Sequence, residues 1–129
     1  MGFELKLNVC SNIRYFVHDG EAFYNPDYMI DLYNPGYGSV IYDISKEYLI
    51  PEASNVKPDI IWYRYEGNDN KVTKDMYNSY PVPCPIGVAI AALEQDVENG
   101  DYRRFGIALN ILQEIRSYFP YAKVFFEGH

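Results

Sequence analysis

The sequence predicts an α+β fold: a mostly antiparallel sheet of about five to seven strands, a C-terminal helical hairpin packed on one face, and a final short strand. Three observations predict it. Segments with a two-residue apolar period, or with many β-branched and aromatic residues, fill the first half of the chain. Two segments of helical period follow, and a strand pattern ends the chain. At 129 residues, the chain is expected to be a single domain, 1–129.

The first candidate strands include a hairpin. Residues 3–9, FELKLNV, alternate apolar and polar positions as a half-buried strand does. Residues 12–18 and 21–25 flank Asp19-Gly20, a dipeptide that favours a two-residue hairpin turn. Such a turn sets the opposed pairs as His18 with Glu21, Val17 with Ala22, and Phe16 with Phe23. His18 is therefore interpreted as a residue at a strand end rather than as a catalytic base.

Further strands are separated by turn signals. The segments YNPDY (24–28) and YNPGY (33–37) are interpreted as turns, because Pro fixes φ and Asn bonds its own backbone. Between them, YMIDLY (28–33) is predicted to be a short strand. The segments that follow are a strand at 39–45 (SVIYDIS), an irregular connection at 46–58 and a strong strand at 59–67 (DIIWYRYEG).

Two helices are predicted after a proline-rich segment, residues 78–87, that stays extended and outside any sheet interior. The apolar stripe of the first helix consists of Ile86, Ala89, Ile90, Leu93 and Val97. Asn99-Gly100 is a helix stop. The stripe of the second helix consists of Phe105, Ala108, Leu109, Leu112, Ile115 and Phe119. Pro120 ends that helix, and residues 121–127 form the closing strand.

Charge and tyrosine are distributed unevenly along the chain. The net charge is −7, and 14 of the residues are Tyr. No Lys or Arg occurs between Tyr15 and Ser45, a stretch that holds five acidic residues and six tyrosines. Such a field repels nucleic-acid phosphates and anionic membranes and attracts basic proteins. We therefore expect a basic protein partner and no nucleic-acid or membrane partner.

The acidic, tyrosine-rich stretch is the candidate binding surface. Its candidate partner-binding residues are Asp19, Glu21, Tyr24, Asp27, Tyr28, Asp31, Tyr33, Tyr37 and Asp43. Tyr gives large, rigid contact area, and carboxylates speed association with a basic partner. The expected function is a small acidic non-enzymatic binding protein that neutralises or regulates a basic protein, most simply a bacterial immunity-type inhibitor of a toxin such as a nuclease. Two readings stay open: these tyrosines line the core, or exposed aromatics serve a homo-oligomer.

The alternative function is a cysteine-dependent enzyme or a small-ligand-binding protein. Cys84 precedes a predicted helix N-terminus, which favours a thiolate, and His18 with Asp19 or Glu21 could activate it. Cys10 and Cys84 show no metal spacing, and no phosphate-binding loop occurs, so we expect no metal and no cofactor. We expect a cytoplasmic protein with two reduced thiols. The chain has no apolar run long enough to span a bilayer, and its start does not match a signal-peptide pattern.

Overall fold

The computed structural model describes residues 4–15, 21–33, 35, 39–68, 70–100 and 103–128, without the side chains of residues 14 and 15. The described residues form ten strands and three α-helices: β1 (Glu4–Cys10), β2 (Ile13–Tyr15), β3 (Ala22–Tyr24), β4 (Tyr28–Tyr33), α1 (Val40–Glu47), β5 (Leu49–Pro51), β6 (Trp62–Glu66), β7 (Asn70–Val72), β8 (Ser79–Pro81), β9 (Cys84–Pro85), α2 (Ile86–Glu98), α3 (Arg104–Tyr118) and β10 (Lys123–Gly128). The predicted α+β class, with a C-terminal helical pair and a final strand, is confirmed.

The strands are arranged in two four-stranded sheets and a two-stranded ribbon. The main sheet has the order β4-β1-β10-β9 and is antiparallel throughout. The second sheet has the order β2-β3-β6-β7, and its β3–β6 pair is parallel. β5 pairs with β8 in the ribbon. The final strand β10 thus lies inside the main sheet, between β1 and β9.

Both faces of the main sheet are buried, against different layers. Alternate residues of its strands, such as Leu7, Ile30 and Phe126, join residues of all three helices in the larger core. On the opposite face, Phe125 packs with Tyr24 and Trp62 of the second sheet. Each large apolar side chain buried in this way stabilises the fold by roughly 1.5–3 kcal/mol. The main sheet is therefore the middle layer between the helices and the second sheet.

A long hairpin connects the two sheets. β1 pairs with β4, and the next strands along the chain, β2 and β3, pair with each other in the same register. Val9 lies opposite Tyr28, and Ile13 lies opposite Tyr24. A step of four residues forward on one strand thus corresponds to a step of four residues back on the other, as in a single antiparallel ladder. One continuous hairpin therefore begins in the main sheet and ends in the second sheet.

The antiparallel pairing across residues 16–21 is present, but the predicted register is wrong. Ala22 lies opposite Tyr15 rather than Val17, and Phe23 lies opposite Arg14 rather than Phe16. A shift of two residues leaves every side chain on the same face, so the alternating pattern cannot distinguish the two registers. The predicted Asp19-Gly20 turn, with Phe16, Val17 and His18, lies outside the described residues.

The segment YNPDY does not reverse the chain as a turn would. β3 and β4 continue in one direction along the long hairpin, and residues 25–27 only interrupt its ladder. Pro26 has no N–H to donate to a ladder. The Asp27 carboxylate instead accepts hydrogen bonds from the backbone N and the Oγ of Ser11, at 2.7 and 2.5 Å. The prediction for YNPGY falls largely outside the described residues, which include only its Tyr33 and Pro35.

The strand predicted at 39–45 is wrong, because this segment begins helix α1. Ser39 caps the helix by accepting a hydrogen bond from the backbone N of Tyr42 at 3.3 Å. The buried carboxylate of Asp96 accepts two more, from the N–H groups of Val40 at 2.7 Å and Ile41 at 2.9 Å. The connection predicted as irregular, 46–58, contains the end of α1, strand β5 and a short 3-10 helix.

The helical hairpin follows the prediction closely. α2 begins directly after Pro85 and ends before Asn99-Gly100, where Gly100 has a φ of +117°. The predicted stripes are buried except for Val97 and Leu109, which are half-buried, and Phe119, which is exposed. Among the described residues, no helix has both the length and the apolar character that crossing a membrane requires.

Candidate protein-binding surface

Strand β4 is an edge of the main sheet, and no strand among the described residues pairs with its outer side. Ile30 and Leu32 point into the helical core. The alternate residues Met29, Asp31 and Tyr33 therefore point to the opposite face, and Met29 and Tyr33 are 63% and 61% exposed. Tyr28, which by the same alternation lies on the face of Ile30 and Leu32, is 45% exposed at the start of the strand. We call Asp27, Tyr28, Met29, Asp31 and Tyr33 the β4 surface.

Around the β4 surface, the acidic side chains are exposed, and the nearby cations lie on the neighbouring elements β1 and α3. Asp27 and Asp31 are exposed. Lys6, half-buried on β1, lies in register between Asp31 on one side and Glu127 on the other. Arg104, at the start of α3, donates a hydrogen bond to the carbonyl oxygen of Tyr33. The exposed rim of the surface is therefore acidic, apart from this cation at its Tyr33 end.

The structure separates the nine candidate residues. Four of them lie on the β4 surface: Asp27, Tyr28, Asp31 and Tyr33. Three lie elsewhere: Glu21 beside the second sheet, Tyr24 between the sheets and Asp43 on α1, in the helical layer. Asp19 and Tyr37 lie outside the described residues. The candidate surface is thus one sheet edge rather than the whole acidic stretch.

Met29 belongs to the surface, but the sequence prediction did not include it. Its signal was present in the sequence, because Met29, Asp31 and Tyr33 alternate along a segment that was predicted to be a strand. Met29 is neither acidic nor a tyrosine, so the composition of the stretch did not indicate it. Its flexible, polarisable side chain suits an adaptable protein contact.

Tyr24 is a packing residue and does not reach the surface. It is 1% exposed, and its ring stacks on Phe125 with 4.0 Å between centroids. Its hydroxyl lies 3.5 Å from both Glu127 Oε1 and Arg64 Nη1. Burial raises the pKa of Tyr24 to about 12, against the opposing effect of Arg64.

A buried polar network lies beside Met29, on the same face of the main sheet. Asn8, which lies opposite Met29, donates from Nδ2 to Glu127 Oε1 at 2.5 Å. Glu127 also forms an ion pair with Arg64 of β6, whose side chain is 12% exposed. Arg64 bonds in addition to the exposed Glu66 at 2.5 Å. These groups fix the second sheet against the main sheet through charged hydrogen bonds, which are stronger than neutral ones.

Glu21 is engaged within the protein. Its Oε2 lies 3.1 Å from Lys71 Nζ, and the Lys71 ammonium sits 4.5 Å from the centroid of the Tyr63 ring. The hydrogen bond to Glu21 raises the pKa of Lys71. Both side chains are about half exposed, so solvent screening leaves the pair with little effect on stability. It does neutralise the carboxylate, which leaves Glu21 a weak attractor for a basic partner.

Cys84 is separated from the start of α2 only by Pro85, as predicted, but its environment opposes a thiolate. The side chain is buried, and burial raises the pKa of the thiol from 9.0 to about 12. A hydrogen bond with Tyr48 lowers this pKa by a smaller amount. His18, the base in the enzymatic alternative, lies outside the described residues. Among the residues that are described, no group of three or more His, Cys, Asp or Glu is placed to hold a metal ion.

We expect native Cys84 to react slowly with iodoacetamide at about pH 7.5, because alkylation needs an accessible thiolate. Cys10, also buried with a pKa raised to about 12, should behave in the same way. Peptide mass spectrometry over a time course measures both rates, with the denatured chain as control. Labelling of Cys84 in the native protein as fast as in the denatured chain would contradict this expectation.

The β4 surface combines groups suited to binding rather than to bond-breaking chemistry. It offers two aromatic rings, a thioether and one carboxylate on strand β4, and a second carboxylate, Asp27, directly before the strand. Aromatic rings and methionine provide contact area, and carboxylates select the charge of the partner. No family model, curated protein or solved structure matches this chain.

Proposed function

We propose that this chain is a small acidic protein that neutralises or regulates a basic protein partner through the β4 surface. One observation carries the proposal: Tyr28, Met29 and Tyr33 are exposed on one sheet edge together with the carboxylates of Asp27 and Asp31. Exposed aromatic residues are typical interface hot spots. Carboxylates beside them raise the association rate with a basic protein and disfavour acidic ones.

The charge of the whole chain favours the same class of partner. The net charge of −7 and the cation-free stretch from Tyr15 to Ser45 produce a negative field that extends beyond individual contacts. Nucleases are typically basic where they bind phosphate, so an acidic antagonist can occupy such a cleft. An immunity-type inhibitor of a bacterial toxin such as a nuclease has these properties.

The proposal is tested by capturing partners from the source organism at about 50 and about 300 mM salt. The immobilised wild-type chain should retain a basic protein at low salt and release it at high salt, because exposed charges are screened. The purified partner, if it is a nuclease, should lose activity when the chain is added. Retention of only neutral or acidic proteins, or retention that salt does not change, would refute the proposal.

Two matched pairs of variants locate the contact. Asp31→Lys should weaken binding of the captured partner at least about tenfold, whereas Glu114→Lys, the same charge change on exposed α3, should have a much smaller effect. Tyr33→Ala should weaken it about fivefold or more, whereas Tyr118→Ala, a similarly exposed tyrosine on α3, should not. Titration calorimetry measures all four affinities. Equal losses within each pair would show that the contact lies away from the β4 surface.

A further inference from the structure

We propose that the partner is recognised by strand addition: an extended, basic segment of the partner pairs with the outer side of β4 and adds a fifth strand to the main sheet. This inference rests on the proposed function, because it specifies how the β4 surface binds its basic partner. Main-chain hydrogen bonds would provide affinity, and side chains on alternate positions would provide specificity.

The backbone of β4 is oriented for this pairing. Tyr33 offers its carbonyl oxygen to Arg104, so its backbone groups point away from β1. In an antiparallel ladder every second residue points its N–H and C=O to the same side. Asp31 and Met29 therefore also present their backbone groups at the outer edge. No hydrogen bond from outside the β1 ladder reaches the backbone of either residue in the described part of the chain.

Two other sheet edges carry protection that β4 lacks. At the opposite edge of the main sheet, β9 is only two residues long and ends in Pro85. At an edge of the second sheet, β7 has three residues with Lys71 at its centre. Short length, proline and lysine are the usual devices that prevent an edge from pairing. β4 has six residues and contains neither proline nor lysine, so it offers a template about 20 Å long.

Charge selects a basic segment over a second copy of this chain. Two β4 strands pairing with each other would bring their Asp31 carboxylates onto one small surface, and both chains have a net charge of −7. Like charges on paired strands are destabilising, whereas a lysine or arginine near Asp31 is stabilising. Arg104 places a positive charge at the Tyr33 end. The basic residues of the added strand should therefore lie towards Asp31 and Asp27.

A defined peptide tests the pairing without knowledge of the natural partner. The probe is an acetylated heptapeptide of alternating threonine and lysine, titrated into the intact protein and followed by NMR and amide hydrogen exchange. We expect slowed exchange at the amides of Met29 and Asp31, which the added strand would engage. A matched peptide with glutamate in place of lysine should bind at least about tenfold more weakly.

A second matched peptide separates strand addition from simple charge attraction. N-methylation of alternate residues removes the donors that would face β4 but keeps every charge, so binding should weaken at least about tenfold. Unchanged binding after N-methylation, or no protection of Met29 and Asp31 by the original peptide, would overturn strand addition. Either outcome would leave the proposed function intact, because different results refute that proposal: a captured partner that is not basic, retention that salt does not change, or a contact away from the β4 surface.

Discussion

Replacing Glu127 with alanine is expected to lower the free energy of unfolding by about 3 kcal/mol. The Glu127 carboxylate is almost fully buried. It accepts hydrogen bonds from Asn8 and Tyr24 and forms an ion pair with Arg64. Its removal leaves the guanidinium of Arg64, which is itself largely buried, without its interior partner. Removing one partner of a buried ion pair costs about 3–5 kcal/mol of stability. We expect a value near the lower limit, because Arg64 keeps its ion pair with the exposed Glu66.

Denaturant unfolding followed by tryptophan fluorescence measures this loss. Trp62 is the chain's sole tryptophan, and its ring centroid lies 5.4 Å from that of Phe125 between the two sheets. The control is a double-mutant cycle with Arg64→Met. Once the guanidinium is absent, Glu127→Ala should cost at least about 1 kcal/mol less than it does in the wild type. Additive losses, or a loss below about 1 kcal/mol for Glu127→Ala alone, would show that the buried ion pair contributes little to the fold.

The parts of the fold that were predicted correctly are those specified by local signals. In α2, an apolar stripe of helical period, Pro85 at the start and Asn99-Gly100 at the end all indicate the same helix. Strand β4 coincides with the predicted segment 28–33, and Pro26, which has no N–H to donate to a ladder, shortly precedes its first residue. The hairpin register that Asp19-Gly20 predicted is wrong, and the alternation of faces could not correct it, since a two-residue shift preserves that alternation.

The candidate site was only partly predictable, because exposure depends on which sheet face a second layer covers. Tyr24 and Tyr33 lie in the same cation-free stretch and are chemically identical. Tyr24 is buried because Phe125 and Trp62 lie beside it between the two sheets. Tyr33 lies at the opposite end of the long hairpin and remains exposed. Composition identified the stretch, but the crossing of this hairpin from one sheet to the other decides which tyrosines can meet a partner.

In helix α1, a local preference for β-strand is overridden by capping from a residue that is distant in sequence. Val40, Ile41 and Ile44 are β-branched, and this favoured a strand. The helix forms because its first N–H groups are satisfied by Asp96, which lies 55 and 56 residues further along the chain from the donors. Packing of Ile41 into the larger core adds to this. Since Asp96 belongs to α2, no window of sequence around residues 39–45 could reveal this part of the cap, although the Ser39 part lies inside the window.

We therefore expect Asp96→Ala to destabilise the protein by about 2–3 kcal/mol, because it leaves the part-buried N–H of Val40 and the buried N–H of Ile41 without their acceptors. Asp96→Asn should lose less, since its one amide oxygen can still accept from Val40 or Ile41. The matched control is Asp43→Asn, an exposed acid in the first turn of α1, where only the helix-dipole contribution of about 0.3–1 kcal/mol is lost. Denaturant unfolding measures all three, and hydrogen exchange of residues 40–47 should quicken most in Asp96→Ala. Equal losses for Asp96→Ala and Asp43→Asn would mean that Ser39 and the burial of Ile41 hold α1 without the distant cap.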